Sequence, residues 1–382
     1  MRTELIRTEP AFAQLKEAWT RLSQETEHKY IYDTWEWTIA NLQAFWGPTP
    51  DLFVIAVYEE EICIAIAPFA RSIKKAGWRS VRELRPINAL SAWSNSIYMD
   101  RRFNHHSLLK RIIEELDSRS QEWDCLELRG LNTGDNSMLL TWSLLDERFS
   151  TLTEPGEWNV YIRYNDSFKD KLSNKELRNM ERRERKLLKE LDARIVVGES
   201  FSEVLWQRCL ELHERKWNES EVIKGPYGHF LGQLLPILDQ THDAEFSYIE
   251  INGRIEAINL VMKKENKAYG EIMNYSPEYA KWGIGAILIR NIVMHYRDQR
   301  LEELDLKQGN QSYKFNWTDN LRKNYTLYVS SNNSKRTYMS AYTWLKLTKR
   351  SFVKSVLLRG RRRKHAASSH SVGKRETQTM GG

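Results

Sequence analysis

The sequence predicts an α+β protein in which one unit occurs twice, each copy a mixed sheet flanked by helices. Two observations predict this. A strand–turn–strand pattern occurs near residue 55 and again near residue 250. Each is followed by an amphipathic helix and a short strand that alternates apolar and acidic residues. A chance similarity of ordinary α/β patterning is the alternative interpretation.

The elements of the two units correspond in order. In the first unit, strands at 52–58 and 62–70 flank an acidic turn, and a helix at 105–119 precedes a strand at 123–130. In the second, strands at 245–251 and 254–264 flank Asn252-Gly253, the strongest short hairpin signal because both residues tolerate positive φ. A helix at 286–299 and a strand at 301–309 follow.

The 382 residues allow two domains with linking segments. We place a first unit at 1–160, linking helices at 161–220, a second unit at 221–333, and a basic helix and disordered tail at 334–382. One linking helix, 168–191, carries a stripe of cations at Lys171, Lys175, Arg178, Arg182, Lys186 and Lys189. This stripe is either a solvated face or a docking surface for an anionic substrate or partner.

Composition excludes several classes of protein. No apolar stretch approaches the roughly 18 residues of a membrane span, and we find no secretion signal at the N-terminus. Three scattered cysteines have neither metal nor disulfide spacing, and the nine histidines lack partner ligands, so we expect a cytoplasmic protein without a metal. The net charge of +7 divides into −7 for residues 1–320 and +14 for the remainder, which makes a nucleic-acid partner unlikely.

A glycine loop in the second unit is the clearest candidate for a ligand site. A strand at 267–275 ends at Ser276-Pro277, and Gly283-Ile284-Gly285 then opens directly into a helix. Glycines let the backbone approach a ligand closely, and the first turn of a helix offers unpaired N–H groups. The sequence therefore predicts a phosphate or pyrophosphate site here.

This order of elements resembles the acetyltransferase fold of the GNAT superfamily, whose corresponding loop binds the pyrophosphate of acetyl-CoA. The loop departs from the common pattern, because Ala280 stands where Gln or Arg is usual. The first unit has no glycine pair at the equivalent place and is expected to be degenerate. The resemblance implies a set of cofactor-binding residues: Lys281, Trp282, Gly283, Ile284, Gly285, Ala286 and Asn310.

Two segments after the loop resemble the CelD/BcsL-type acetyltransferases, a family linked to cellulose and other exopolysaccharide biosynthesis. They are Asp305 to Gly309 and the run Tyr313-Lys314-Phe315-Asn316-Trp317. The resemblance spans about residues 10–345 and includes Trp35-Glu36-Trp37, Ala67-Pro68-Phe69, Leu177-Arg178, Arg182-Arg183, Leu212-His213, Lys216-Trp217 and Gly253 to Ala257. The chain is also similar to the FemAB aminoacyltransferases, which are built from two GNAT-like units.

Acyl transfer requires a base for the acceptor, an oxyanion donor and an acid for the thiolate. We expect Asp305 or Glu271 as the base, and Asp305 could instead orient the acceptor. A structural cap and an exposed strand position are the respective alternatives for Asp305 and Glu271. Tyr313 is the candidate acid, unless it is a core tyrosine. Lys314 lies among aromatic residues, so we expect a partly desolvated ammonium that stabilises an oxyanion or an anionic substrate group. Candidate substrate-binding residues are Arg178, Arg182 and Trp317.

The sequence thus predicts an acyl-CoA-dependent N-acyltransferase, with acetyl-CoA as donor and an amino sugar, nucleotide sugar or lipid-linked sugar as acceptor. One alternative is a FemAB-like aminoacyltransferase that uses aminoacyl-tRNA. Another is a non-catalytic scaffold of a membrane polysaccharide synthase. The segment 334–364 combines apolar and cationic residues, which predicts peripheral contact with an anionic membrane or a membrane synthase at the inner membrane face.

Overall fold

One mixed β-sheet runs through the chain and carries helices on both faces. The computed structural model describes residues 1–26, 29–132, 134–164, 173–216 and 225–349. Its strands are β1 (Arg2–Ile6), β2 (Asp51–Glu59), β3 (Ile62–Ala76), β4 (Arg79–Pro86), β5 (Tyr98–Met99), β6 (Cys125–Asn132), β7 (Ser150–Arg163), β8 (Ala193–Ser200), β9 (Ala244–Ile251), β10 (Arg254–Lys264), β11 (Lys267–Tyr275), β12 (Glu303–Gln308) and β13 (Leu321–Ser330). Its helices are α1 (Glu9–Ala13), α2 (Lys16–Ser23), α3 (Trp35–Phe45), α4 (His105–Ser118), α5 (Asn136–Arg148), α6 (Asn174–Glu190), α7 (Glu203–Lys216), α8 (Pro226–Asp239), α9 (Ile284–Asp298) and α10 (336–349).

The strand order confirms the predicted duplication. It is β1-β2-β3-β4-β6-β13-β7-β12-β11-β10-β9-β8, with β5 paired to β3. From one edge the sheet begins, after β1, with the hairpin β2–β3, then β4, then β6, the strand that follows α4 in sequence. From the other edge it begins, after β8, with the hairpin β9–β10, then β11, then β12, which follows α9. The corresponding strands of the two halves therefore follow in the same order from either edge, with the pair β13–β7 at the centre.

The two halves exchange their last strands at the centre of the sheet. β7 follows the first unit in sequence but pairs with β12 of the second unit, and β13 ends the second unit but pairs with β6 of the first. The two strands also pair antiparallel with each other over most of their length. β7 crosses the predicted domain boundary at residue 160 for this reason, and the other boundaries remain predictions.

Each half contains one pair of parallel strands that separate from each other. β4 and β6 pair only at Glu83–Cys125 and Leu84–Leu126. β11 and β12 pair from Lys267–Glu303 to Tyr269–Asp305, after which both strands continue apart. This separation opens a cleft in the second half. In the first half the chain itself lies against β6, because a Cβ at Gly130 would overlap the carbonyl oxygen of Trp93. The first unit is accordingly degenerate at this place.

Local sequence accounts for the elements next to the cleft. Asn252 and Gly253 adopt φ of 51° and 73° in the tight turn between β9 and β10, as predicted. α6 begins at Asn174 because Ser173 and Glu176 form a capping box. The predicted first residues of this helix, 168–172, lie outside the described residues, as do Trp217 and the tail from residue 350.

Three layers result from the packing of these elements. α4 and α5 bury their apolar faces on the first half of the sheet, where Ile112 and Leu126 belong to one buried cluster. α9 packs on the same face of the second half, where Leu288 and Ile249 belong to another. On the opposite face α3 of the first half contacts α8 of the second, and the ring of Trp37 lies 4.9 Å from that of Phe230, centroid to centroid. This contact joins the two halves next to the cleft.

Candidate active site

A cavity of about 270 Å³ lies at the end of β11, beside the glycine loop and the start of α9. It is lined by Met180, Met273, Tyr275, Ala280, Gly283, Ile284, Gly285, Ala286, Ile289, Tyr313, Asn316 and Trp317. Gly283 is the N-cap of α9, and no side chain caps this helix. The N–H groups of its first turn are therefore available to an anion, and the helix dipole favours negative charge there.

The structure explains why glycine is required at both positions 283 and 285 of the loop. Gly283 adopts φ of 70°, a left-handed conformation that other residues rarely take. A Cβ at Gly285 would lie 3.0 Å from Cδ1 of Tyr275, so a side chain there would press into the cavity wall. The pair thus turns the chain into α9 and keeps the cavity open.

The predicted cofactor residues divide into two groups. Gly283, Ile284, Gly285 and Ala286 line the cavity. Lys281 and Asn310 are exposed, and Trp282 packs on the core beneath α9. None of these three is among the residues that line the cavity, because the 3₁₀ helix Pro277–Trp282 directs Ala280 to it instead.

Helix α6 contributes two residues that the sequence did not single out for this site. Met180 lines the cavity. Nη1 of Arg183 lies 3.8 Å from where a Cβ on Gly283 would stand. Arg290 of α9 holds α6 in place through ion pairs of 3.0 Å with Glu181 and Glu184. An exposed guanidinium therefore lies beside the glycine loop.

The substrate-binding role predicted for Arg178 and Arg182 finds no support in the geometry. Both are exposed on α6, and neither lines the cavity beside the glycine loop or the wider cavity between the two halves. Trp317, predicted to bind the acceptor, is instead a buried wall of the cavity beside the glycine loop. The signal that could have found Arg183 is its adjacency to Arg182 on the predicted helix.

Tyr313, the predicted acid, lies at the cavity beside the glycine loop. It lines the cavity from the 3₁₀ helix Ser312–Asn316 and is 39% exposed. Partial burial raises the pKa of its phenol, so the hydroxyl keeps its proton at neutral pH. A protonated phenol at the cavity wall can donate to a thiolate.

Lys314 is buried, as the aromatic surroundings predicted, but its ammonium is already engaged. Nζ donates to the backbone carbonyls of Lys307 at 3.0 Å, Gln308 at 2.8 Å and Gly309 at 3.5 Å. Burial lowers the pKa of Lys314 to about 8. With its three donors directed at the chain, Lys314 positions the loop after β12, and the geometry does not support the predicted oxyanion contact.

Asp305 is fully buried where β11 and β12 separate. One carboxylate oxygen accepts from Nδ2 of Asn159 at 2.7 Å, and the other accepts from the backbone N–H of Lys307 at 2.6 Å. Burial raises the pKa of Asp305 to about 6, while the Arg322 guanidinium at 3.6 Å opposes the shift. The contacts support the structural-cap alternative over the role of base.

Glu271 is the extra residue of a β-bulge in β11. On β10, Val261 pairs with Gly270 and Leu260 with Ile272, which leaves Glu271 without a partner residue. Its side chain is 1% exposed, which contradicts the alternative of an exposed strand position. One oxygen accepts from the Tyr227 hydroxyl and the Lys307 ammonium, and the other is buried without a partner among the described residues.

A second, wider cavity of about 750 Å³ lies between the two halves. Tyr227 and Lys307, the two partners of Glu271, both line it. The remaining walls come from the central strands and from the segment 89–93, and they carry aromatic and acidic side chains, including Trp93, Tyr325, Tyr328, Glu127, Glu154 and Glu157. Glu271 therefore lies behind the wall of this cavity, two residues before Met273 of the smaller one.

The described residues hold no group of three or more His, Cys, Asp or Glu side chains suited to a metal ion. Cys63, Cys125 and Cys209 are buried free thiols, as predicted. Burial raises the pKa of Cys63 and of Cys209 to about 12, so neither is a nucleophile at neutral pH. Within the described segments, no helix is both long and apolar enough to span a membrane.

Comparison with known proteins identifies the fold. Residues 174–315 match the model of the acetyltransferase (GNAT) domain. FemX superposes with a TM-score of 0.54 at 9% identity, covering 85% of this chain and 97% of its own. L-PGS from Bacillus licheniformis superposes with a TM-score of 0.51 at 14% identity, covering 86% of this chain and 96% of its own. A conserved protein of unknown function from Bacteroides thetaiotaomicron superposes with a TM-score of 0.52 at 12% identity, covering 86% of this chain and 100% of its own. No curated protein sequence matches the chain.

Proposed function

We propose that this protein, whose second half is an acyltransferase domain of the GNAT type, transfers an acetyl group from acetyl-CoA to the amine of a sugar. GNAT domains generally use acyl-CoA. The observation that carries the proposal is the cavity at the glycine loop, where the uncapped first turn of α9 and the guanidinium of Arg183 meet. Backbone N–H groups and a nearby cation are what a pyrophosphate requires.

The apolar side of this cavity suits the remainder of the donor. Met180, Met273 and Ile289 line it together with Tyr275. These side chains can bury the pantetheine arm while the phosphates stay at the loop. Tyr313 at the same wall then donates its proton to the CoA thiolate as the carbon–sulfur bond breaks.

The wider cavity between the halves is the proposed acceptor site. An unprotonated amine held there attacks the thioester carbonyl carbon. Tyr227 takes the proton that the amine loses and passes its own proton to Glu271, to which it is already hydrogen-bonded. The Glu271 carboxylate becomes a carboxylic acid and the Tyr313 phenol a phenolate, the products are an amide and CoA, and proton exchange with solvent then restores both groups.

The lining of this cavity favours a neutral or amine-bearing sugar. Aromatic faces such as Trp93 and Tyr325 suit the apolar side of a pyranose ring, and the carboxylates of Glu154 and Glu157 suit hydroxyls and ammonium groups. The resemblance to the CelD/BcsL-type family supports an acceptor from polysaccharide or cell-envelope biosynthesis, free or lipid-linked. Three free thiols suit a reducing compartment, so we place the reaction in the cytoplasm.

Calorimetric titration with acetyl-CoA tests the donor site. We expect the wild type to bind and Gly285→Asp to lose binding, because the new carboxylate stands beside Tyr275 at the proposed phosphate site. Gln121→Asp is the control, because it adds a carboxylate at an exposed loop position between α4 and β6, away from the cavity. A wild type that ignores acetyl-CoA, or a Gly285→Asp variant that binds as the control does, refutes the donor assignment.

Aminoacyl-tRNA is the second candidate donor, favoured by one observation. The exposed face of α6 carries cations beside the glycine loop: Lys175, Arg178, Arg182, Arg183, Arg185, Lys186 and Lys189. Such a face can neutralise several phosphates of a nucleic acid. Titration with charged tRNA over a range of salt separates the two donors, since acetyl-CoA binding without tRNA binding removes this candidate.

A further inference from the structure

Two segments far apart in the sequence form one surface at the rim of the first unit. They are the tip of the β3–β4 hairpin, residues 73–79, and helix α10. The Tyr338 hydroxyl donates to the carbonyl of Ala76. The guanidinium of Arg79 lies 4.4 Å from the ring centre of Trp78 and 4.9 Å from that of Tyr338. These contacts fix α10 on the hairpin tip, and we call the result the hairpin–α10 surface.

Large apolar side chains are left in solvent on this surface. Trp78 is 80% exposed and Ile73 is 74% exposed on the hairpin. On α10, Trp344 and Leu345 are 57% and 59% exposed, while Met339 of the same helix is buried against the hairpin and Tyr328. Four large apolar side chains left in solvent on two adjoining segments, two of them tryptophans, are unusual for a surface that meets only water.

The charge of the surface has a single sign. Residues 71–82 and 331–349 contain nine Lys and Arg and no acidic residue. Four of these cations pair with acids from neighbouring strands: Arg71, Lys74, Arg82 and Lys335. The other five, Lys75, Arg79, Arg336, Lys346 and Lys349, have no ion pair within 4 Å among the described residues. The sequence from 350 to 364 adds seven more cations and again no acid.

We propose that the hairpin–α10 surface docks the protein on an anionic phospholipid membrane. Tryptophan side chains prefer the headgroup level of a bilayer, and nearby Lys and Arg are attracted to anionic lipids. The hairpin–α10 surface has exposed tryptophans and cations, and its segments contain no acidic residue that would repel the lipids. It therefore matches an anionic membrane. The inference does not depend on the acyl transfer proposed above, since it concerns a different face and is tested without a substrate.

Co-sedimentation of the full-length protein with vesicles tests the proposal. The probes are vesicles of phosphatidylglycerol with phosphatidylcholine and vesicles of phosphatidylcholine alone, each at low and high salt. We expect binding to the anionic vesicles only, weakened by salt. Trp78→Ser with Trp344→Ser is expected to weaken it by about tenfold, since both side chains lose their burial in the interface. Trp158→Ser is the matched control, because Trp158 is also exposed but lies on β7.

A second pair of variants isolates the charge. Lys75→Gln with Lys349→Gln removes two cations of the surface, and a loss of about fivefold per cation is expected at low salt. Lys16→Gln with Lys110→Gln, exposed on α2 and α4, is the control. The proposal is overturned if anionic vesicles are not bound, if neutral vesicles are bound equally well, or if the surface variants bind as their controls do. The last outcome would assign binding to the tail alone.

Discussion

The buried charged groups of Asp305 and Lys314, near the end of β12, hydrogen-bond to the protein backbone. Both residues therefore have structural roles, in contrast to the catalytic roles predicted for them. Lys314 donates to three carbonyls of the loop 307–309, and Asp305 accepts from the N–H of Lys307 in the same loop. Lys307 itself adopts φ of 62°, an uncommon conformation for a residue with a side chain. Together the two buried groups stabilise this turn, which in turn presents the Lys307 ammonium to Glu271.

The raised pKa of Asp305 predicts a measurable dependence of stability on pH. Its pKa is near 4 when unfolded and about 6 when folded, so the folded state binds the additional proton between these values. Stability contributed by this group is therefore present at low pH and falls as the pH rises from about 4 to about 6. Two units correspond to at most about 3 kcal/mol.

Urea unfolding of the wild type and Asp305→Asn at pH 4, 5, 6 and 7 measures this effect. The asparagine does not titrate, so the free energy of unfolding of the wild type should decrease relative to the variant across that range. Other groups titrate equally in both proteins and cancel in the difference. Two curves that stay parallel from pH 4 to 7 would show that the carboxyl of Asp305 keeps an ordinary pKa.

At the scale of elements, the bulge in β11 has the largest effect on the site. An extra residue in one strand bends it and redirects a side chain. Here it places the Glu271 carboxylate against Tyr227 of α8 and Lys307 of β12, at the point where β11 leaves β12. Without the bulge, the side chains of β11 would alternate regularly between the two faces of the sheet. Glu271 would then pair with a residue of β10.

Glu271→Gln tests the role of this carboxylate. Glutamine has nearly the same shape but cannot take a proton, so we expect the turnover number to fall by about 10²–10³-fold with the affinity for acetyl-CoA unchanged. The measurement is release of the CoA thiol with a panel of amino sugars. Glu278→Gln, an exposed position in the 3₁₀ helix Pro277–Trp282, is the control. Equal turnover in the two variants would exclude Glu271 as proton acceptor.

The sequence predicted those elements in which apolar and polar residues alternate or repeat regularly, because one face is buried and the other is exposed. The hairpins, α4 and α9 alternate or repeat clearly, and their bounds agree within two residues, except that β3 runs to Ala76 and not to the predicted residue 70. β7 was missed because Pro155-Gly156 indicates a turn, whereas in the sheet this pair lies opposite a register shift of β13. The glycine loop was found because its contacts are local. The sequence named Glu271 as a candidate base, but it could not predict that the side chain is buried, since its partners are 36 and 44 residues away.

For the whole molecule, the exchanged strands determine how the two halves depend on each other. Each half completes its sheet with a strand that follows the other half in sequence, and β7 and β13 pair along nearly their whole length. Separating the halves would expose these strands and the α3–α8 contact, with its buried aromatic rings. Although the same pattern of elements occurs twice, the two units are thus not two independently stable domains.

We therefore expect one cooperative unfolding transition for the described body of the chain. Urea unfolding followed by far-ultraviolet circular dichroism reports the helices and strands of both halves. Tryptophan fluorescence reports packing, with most of the 14 tryptophans in the first half. Because neither half keeps its sheet without the other, the two signals should give the same midpoint and the same slope with denaturant. Separate midpoints, with fluorescence changing at a different urea concentration from circular dichroism, would mean that the halves unfold independently despite the exchange.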